Sequence, residues 1–220
     1  MKINQDSSVK TLHFIDQLHW RYATKRMRTD LVVSQQKTDT IIEAIRLSAS
    51  SLGLQPYHLI MIKDKQLLQK IKPIANNQPQ ITEATALLVF AVWDKATPER
   101  VNSYLHLIAS ERKVSIESLS GLKAMTEGIL SLGEEYVFNW MARQAYIALG
   151  TGLVAAAMEE VDATPMEGFD PAGLDTLLDL PAKGLKSVAL MTLGYRDEIN
   201  DPIVKLKKVR RPTNDFVLFI

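Results

Sequence analysis

The sequence predicts an α+β fold, a central sheet flanked by helices, and three observations carry that expectation. "TALLVFAVW" (85–93) is apolar along its full length, which marks a strand covered on both faces. "GEEYVFNWMARQAYIALGTGLVAAAMEEV" (133–161) reads as one long helix, apolar on most sides and so buried all round. The elements also do not alternate regularly between strand and helix, which argues against a doubly wound parallel sheet.

Taken in order, "VKTLHFIDQLHWRY" (9–22) sets Val9, Leu12, Phe14, Ile15, Leu18 and Trp20 near helical spacing, so the basic cluster that follows falls at or just past a helix end. In "TDTIIEAIRLSASSLGL" (38–54), Thr38 or Asp39 can cap a second helix and Gly53 can stop it. "YHLIMIKD" (57–64) reads as a strand ending in a turn, and "TALLVFAVW" is expected to lie centrally. Residues from about 98 to 130 look helical and more polar, broken near Ser118 to Gly121, and are the best candidate for a peripheral excursion or lid. In the long helix Ala142, Ala145, Ala148, Gly150, Gly152, Ala155 and Ala156 permit close approach of another helix, from a second subunit or from the same chain. "DATPMEGFDPAG" (162–173), rich in Pro and Gly, reads as a structured loop. A short helix at "GLDTLLDL" and a strand at "LKSVALMTLGY" follow, and the chain ends in a basic run and an apolar tail, Phe216 to Ile220. No repeat or linker composition divides residues 1–220.

Composition narrows the chemistry. A chain of 220 residues with 46% hydrophobic and 23% charged content can bury a core. Its 26 Lys and Arg balance 25 Asp and Glu to a net charge of +1, which gives no global attraction to nucleic acid or an anionic membrane. The absence of Cys excludes disulfides, thiol catalysis and thiolate metal sites, and fits a reducing compartment. The opening "MKINQDSSVK" lacks the apolar segment of a secretory signal, and "ALLVFAVW" is far too short to span a membrane, so a cytoplasmic location is expected.

Four segments differ from their surroundings: "RYATKR" (Arg21 to Arg26), "SASSLGLQPY" (Ser48 to Tyr57), "PMEGF" (Pro165 to Phe169) and "KKVRRP" (Lys207 to Pro212). The two basic segments lie at opposite ends of the chain and, if brought together, supply guanidinium and ammonium groups suited to a phosphate monoester; otherwise each is a solvated charge run. The second and third segments also read as turns, with Gly168 able to expose backbone N–H groups to a planar ligand. "GTGLVA" (150–155) matches a dinucleotide fingerprint, but that motif must follow a strand, and the residues before Gly150 are helical in character. His13, His19, His58 and His106 show no metal-site spacing, and no nucleophile elbow or Walker sequence is present.

In this order and spacing, these segments, with "NNQPQITEAT" (76–85) and "WMARQAYIALG" (140–150), resemble the nitroreductase family of flavin-dependent NAD(P)H oxidoreductases along nearly the whole chain. The resemblance implies a mixed central sheet flanked by helices in an intertwined homodimer. It further implies one FMN-binding domain over residues 1–220, with a helical excursion at about 98–130 and a C-terminal arm at about 213–220. FMN would lie at the subunit interface, with NADPH or NADH as electron donor and a small nitroaromatic or quinone acceptor in a ping-pong cycle.

By the same resemblance Arg21 contacts the phosphate and Lys25 lies beside the flavin N1 and O2 edge. Tyr22 and Ala23 stand where many relatives carry His or Arg and Ser. Ala49, Ser50, Ser51 and Gly53 would reach the flavin of the partner chain, with Gly53 replacing a frequent Asn. Asn77 matches a position near the flavin, and Gln80 stands where Lys is often found. Pro165, Met166, Glu167 and Gly168 would line the ring, and Lys208 and Arg210 would close on the phosphate. No residue is expected to act as nucleophile or metal ligand, because the flavin carries the chemistry, and Lys25 and Glu167 are its candidate tuners. A flavin-binding relative without turnover, or one specialised for dehalogenation or dehydrogenation, would keep the same contacts.

Overall fold

A computed structural model describes residues 6–220, with side chains described from residue 13 onward; Val9 and Leu12 of the opening apolar pattern lie outside the described side chains, and residues 1–5 outside the structure described. The first helix, α1 (Asp6–Trp20), ends where the basic segment begins, as its spacing predicts. Helix α2 (Gln35–Arg46) starts earlier than expected, because Ser34, not Thr38 or Asp39, caps it by accepting from the Lys37 N–H. Thr38 is instead buried on the helix, its hydroxyl donating to Ser34 O at 3.0 Å. Gly53 does not stop α2, which ends with Leu47 as its cap; it sits in a separate 3-10 turn, Ser51–Gly53.

The sheet is built from β1 (Tyr57–Ile62), β2 (Ala86–Trp93), β3 (Asp162–Met166) and β4 (Leu185–Gly194) in the order β1-β2-β4-β3. Every pairing among the described residues is antiparallel, so the parallel strand that a mixed sheet needs is not among them. Strand β2 is interior and buried at all of its positions, in line with its unbroken apolar run. Its Leu88, Phe90 and Val92 join one core cluster, and Leu87 and Val89 join a second on the opposite face. The first cluster includes residues of α2 and of the long helix α7 (Glu134–Met158); the second includes residues of α3 (Lys65–Ile74), α4 (Gln80–Glu83) and α8 (Pro171–Leu177). The polar stretch forms α5 (Pro98–Arg112) and α6 (Ser120–Leu130), joined through residues 113–119, close to the expected break. A short α9 (Thr213–Phe216) precedes the exposed tail.

Two further expectations need correction. Residues 162–166 are a strand, not part of a loop: β3 is an edge strand, where Pro165 can pair with Met191 without supplying the hydrogen bond an interior strand would require. Helix α7 is not buried all round. Trp140, Met141, Ala145, Ala148, Leu149 and Ala156 are buried, but Tyr136, Tyr146, Ile147 and Met158 are exposed. Its small residues serve the intramolecular contact at least at Gly152, where an added Cβ would come within 2.9 Å of Ile45 on α2 and 3.1 Å of Met191 on β4. Gly150 and Gly152 lie inside this helix, so "GTGLVA" does not open one after a strand.

Candidate functional site

Where α1 ends, the chain turns along the sheet edge and is fixed there by buried polar contacts. Thr24 donates its hydroxyl to Asp162 Oδ1 at 3.0 Å, and Thr164 donates to Thr24 O at 2.7 Å, so the basic segment is tied to both ends of a short stretch of β3. Met27 then bridges to Arg196 just beyond β4. A second carboxylate organises the other side. Asp201 accepts from Lys25 N at 2.7 Å and Ile203 N at 2.9 Å, and from the Tyr22 hydroxyl at 3.2 Å. Burial, followed by the Asp201 charge, raises the Tyr22 hydroxyl pKa and keeps it a donor.

These ties bring residues from opposite ends of the chain into one cavity of about 570 Å³, walled by Arg21, Tyr22, Ala23, Pro165, Arg196, Ile203, Val204 and the segment Leu206 to Arg210. The volume lies in the usual range of ligand pockets. Arg196 is a strut within it. Its guanidinium stacks over Trp20 and Tyr22, 4.1 and 4.7 Å from the ring centroids, and pairs with the buried Asp162 at 2.7 Å. The Arg196 backbone N–H donates to the same carboxylate at 2.8 Å.

The other cations carry unspent charge. Arg21 has a buried Nε without a hydrogen-bond partner. Burial and then the neighbouring Arg210 lower its pKa, against a smaller opposing pull from Asp162. The Lys208 ammonium donates to Leu18 O and Arg21 O, satisfying carbonyls at the end of α1. Its pKa is also lowered, by burial and then by Arg21, Arg210 and Arg196. Cations that disfavour one another around an unsatisfied buried donor form a site for an anion. A neighbouring cleft of about 750 Å³ is different: its Arg26 pairs with Glu83 at 2.8 Å and its Arg28 with Asp30.

The remaining sequence-predicted residues form two further groups. After α3, Asn76 and Asn77 adopt left-handed conformations with φ of 52 and 55°, and this turn meets the loop after β3. There Gln78 donates to Gly168 O at 2.9 Å, and Tyr146 of α7 donates to Glu167. Asn77 is exposed, whereas Gln80 is buried beneath the turn, donating to Gln78 Oε1 at 3.3 Å and leaving its own Oε1 unpartnered. The third group, Ala49, Ser50, Ser51 and Gly53, is held away from the cavity wall by α7 and α5. Gln144 accepts from Ser51 N at 3.0 Å, and Tyr104 donates to Leu52 O at 3.0 Å. Lys25 exposes its side chain and is not on the cavity wall, and Met166 is buried in the sheet.

Sequence reasoning missed Arg196, Asp162 and Asp201. The accessible signal was a charged "YRDE" directly after an apolar strand, where a core strand's end delivers side chains to the same edge as β3.

The Nitroreductase family model matches residues 18–195. A Staphylococcus epidermidis protein provisionally named an NAD(P)H nitroreductase is 29% identical over 217 residues, covering 94% of this chain and 96% of its own. Among solved structures, a nitroreductase-like protein from Streptococcus mutans superposes with a TM-score of 0.82 at 16% identity, covering 96% of this chain and 99% of its own. One from Exiguobacterium sibiricum, provisionally named a nitroreductase and solved in complex with FMN, superposes with a TM-score of 0.78 at 16% identity, covering 94% and 97%. The likeness to these structures establishes the fold.

Proposed function

The chain belongs to the nitroreductase family, and on that premise we propose that it is an NAD(P)H-dependent FMN oxidoreductase that reduces nitroaromatic or quinone-type acceptors. The observation that carries this reading is the cation cavity. Arg21, with a buried unpartnered Nε, stands beside Arg210 and Lys208 in a space that fits a phosphate monoester. In this reading Arg21 and Arg210 hold the FMN phosphate, and Lys208 adds charge while keeping α1 in place. Bound FMN supplies the redox chemistry, taking hydride from a nicotinamide and passing electrons to the acceptor.

The chain's own residues hold and tune. Tyr22, Ala23 and Pro165 continue the wall away from the phosphate end. Glu167 and Gly168 stand on the loop that Tyr146 and Gln78 brace, and in this reading their backbone would meet the edge of the planar ring. These residues would leave one side of the site open to donor and acceptor in turn, as a ping-pong order requires. The third residue group, Ala49 to Gly53, would complete the site from a partner subunit. A homodimer is supported by the exposed stripe Tyr136, Tyr146, Ile147 and Met158 on α7, by Phe14 and Ile15 on α1, and by the exposed apolar tail. We therefore read residues 1–220 as one FMN-binding domain, with residues 98–130 as its excursion and 213–220 as an arm crossing to the partner. A cytoplasmic location agrees with its use of NAD(P)H.

Lys25→Met should lower the two-electron potential of the bound flavin by up to roughly 30 mV, the equivalent of about 1.4 kcal/mol of preference for the reduced anion. The exposed side chain makes this an upper figure, because solvent screens the charge. Equal midpoint potentials at matched FMN occupancy would remove Lys25 from the flavin's surroundings.

The reaction itself is tested anaerobically. FMN-loaded protein should lose its visible flavin absorbance on addition of NADPH or NADH, and regain it on addition of a quinone or nitroaromatic. Bleaching without recovery by these acceptors assigns the protein to another redox reaction. A loaded protein that does not bleach is a flavin binder without turnover, and a protein that takes up no FMN overturns the proposal.

A further inference from the structure

We infer that Tyr104 is a positioning residue, holding the Ser50–Gly53 loop in its ligand-facing conformation with a hydroxyl that occupies the place of a side chain at position 53. The inference rests on the reading that this loop reaches the flavin of a partner subunit.

The loop is conformationally demanding. Leu52, Gly53 and Gln55 all have positive φ, at 56, 71 and 46°. Left-handed backbone is disfavoured for residues that carry a Cβ and persists where surrounding contacts impose it. Several contacts do so within the loop's own neighbourhood. Gln55 N donates to Ser50 Oγ at 3.1 Å, Gln55 Nε2 to Arg46 O at 2.7 Å, and Ser51 N to Gln144 at 3.0 Å. Tyr104 adds a restraint from a different part of the fold, because it comes from α5, the first helix of the excursion. Burial raises its hydroxyl pKa, so it remains a donor to Leu52 O.

The geometry at Gly53 shows what the hydroxyl excludes. A Cβ built there would lie 2.3 Å from Tyr104 Oη, a distance at which something must move, but 3.5 Å from the ring carbon Cζ, an ordinary contact. The ring therefore tolerates a Cβ at position 53 and the hydroxyl oxygen, where it stands, does not. Position 53 and position 104 are coupled through one atom, and the excursion helix is tied through that atom to the loop.

The test is a double-variant cycle of Gly53→Ala and Tyr104→Phe; Ala adds the Cβ alone, and its left-handed backbone cost is common to both backgrounds and cancels in the cycle. FMN dissociation constants are read by titration, and hydrogen exchange of the Leu52 to Gln55 amides is read on FMN-free protein. Tyr104→Phe should weaken FMN binding severalfold and speed exchange in the loop. Gly53→Ala should weaken binding more than tenfold. The double variant should bind FMN more tightly than Gly53→Ala alone, because removing the hydroxyl restores ordinary contact. If Gly53→Ala does not fold, recovery of a folded protein in the double variant gives the same answer. Unchanged FMN affinity in Tyr104→Phe, or losses that simply multiply in the double variant, overturns the inference. A wild-type protein with no FMN affinity would overturn the functional reading instead, with loop exchange in Tyr104→Phe still reporting whether the hydroxyl holds the loop.

Discussion

Asp162→Ala should destabilise the FMN-free protein by about 3–5 kcal/mol, the usual consequence of removing one partner from a buried ion pair. Asp162 is 3% exposed, and its carboxylate accepts from the Arg196 guanidinium, the Arg196 backbone N–H and the Thr24 hydroxyl. Without it, the Arg196 guanidinium keeps its stacking on Trp20 and Tyr22 and a long 3.5 Å hydrogen bond to Trp20 O, and the Thr24 hydroxyl and the Arg196 backbone N–H lose their acceptor. For a chain of this length each kcal/mol moves the melting temperature by about 2–4 °C, so a fall on the order of 10 °C is expected. Asp162→Asn, which keeps the shape and one acceptor oxygen, should fall less. A melting temperature for Asp162→Ala equal to wild type would show that the basic segment is not anchored through this carboxylate.

Arg21→Ala should have effects of opposite sign on binding and stability. One charge-assisted hydrogen bond is worth about 1.5–3 kcal/mol, so the FMN dissociation constant should rise roughly 10-fold to 150-fold. The FMN-free variant should melt no lower than wild type, because the substitution removes a partly buried cation whose Nε has no partner and whose neighbour Arg210 opposes its charge. Millimolar inorganic phosphate should stabilise wild type more than the variant, since an anion that binds only the folded state shifts the unfolding equilibrium. Equal losses of stability and affinity would instead identify Arg21 as a structural cation.

The features legible in the sequence were those whose composition had one physical solution. An apolar run as long as β2 needs cover on both faces, and the core clusters on either side of the sheet provide it. The paired basic segments could be suspected of meeting because separate charge clusters suit one anion, and the cavity joins Arg21 to Lys208 and Arg210. Strand β3 was hidden because "DATPM" holds Asp and Pro, both poor strand formers; Asp162 is there for the ion pair, and Pro165 is tolerated at an edge. The exposed stripe of α7 was hidden because apolar residues on an exposed helix face look in sequence like core residues, and periodicity does not distinguish the two. The coupling of Tyr104 to Gly53 crosses from the excursion to a loop fifty residues earlier, and no local pattern reports it.

The most direct test of the cation cavity compares FMN with riboflavin, which differs only in lacking the phosphate. If Arg21 and Arg210 each contribute about 1.5 kcal/mol through that group, wild type should bind FMN roughly 150-fold more tightly than riboflavin, and Arg21→Ala should narrow the gap. Equal affinities of wild type for the two flavins would contradict the assignment of this cavity to the FMN phosphate.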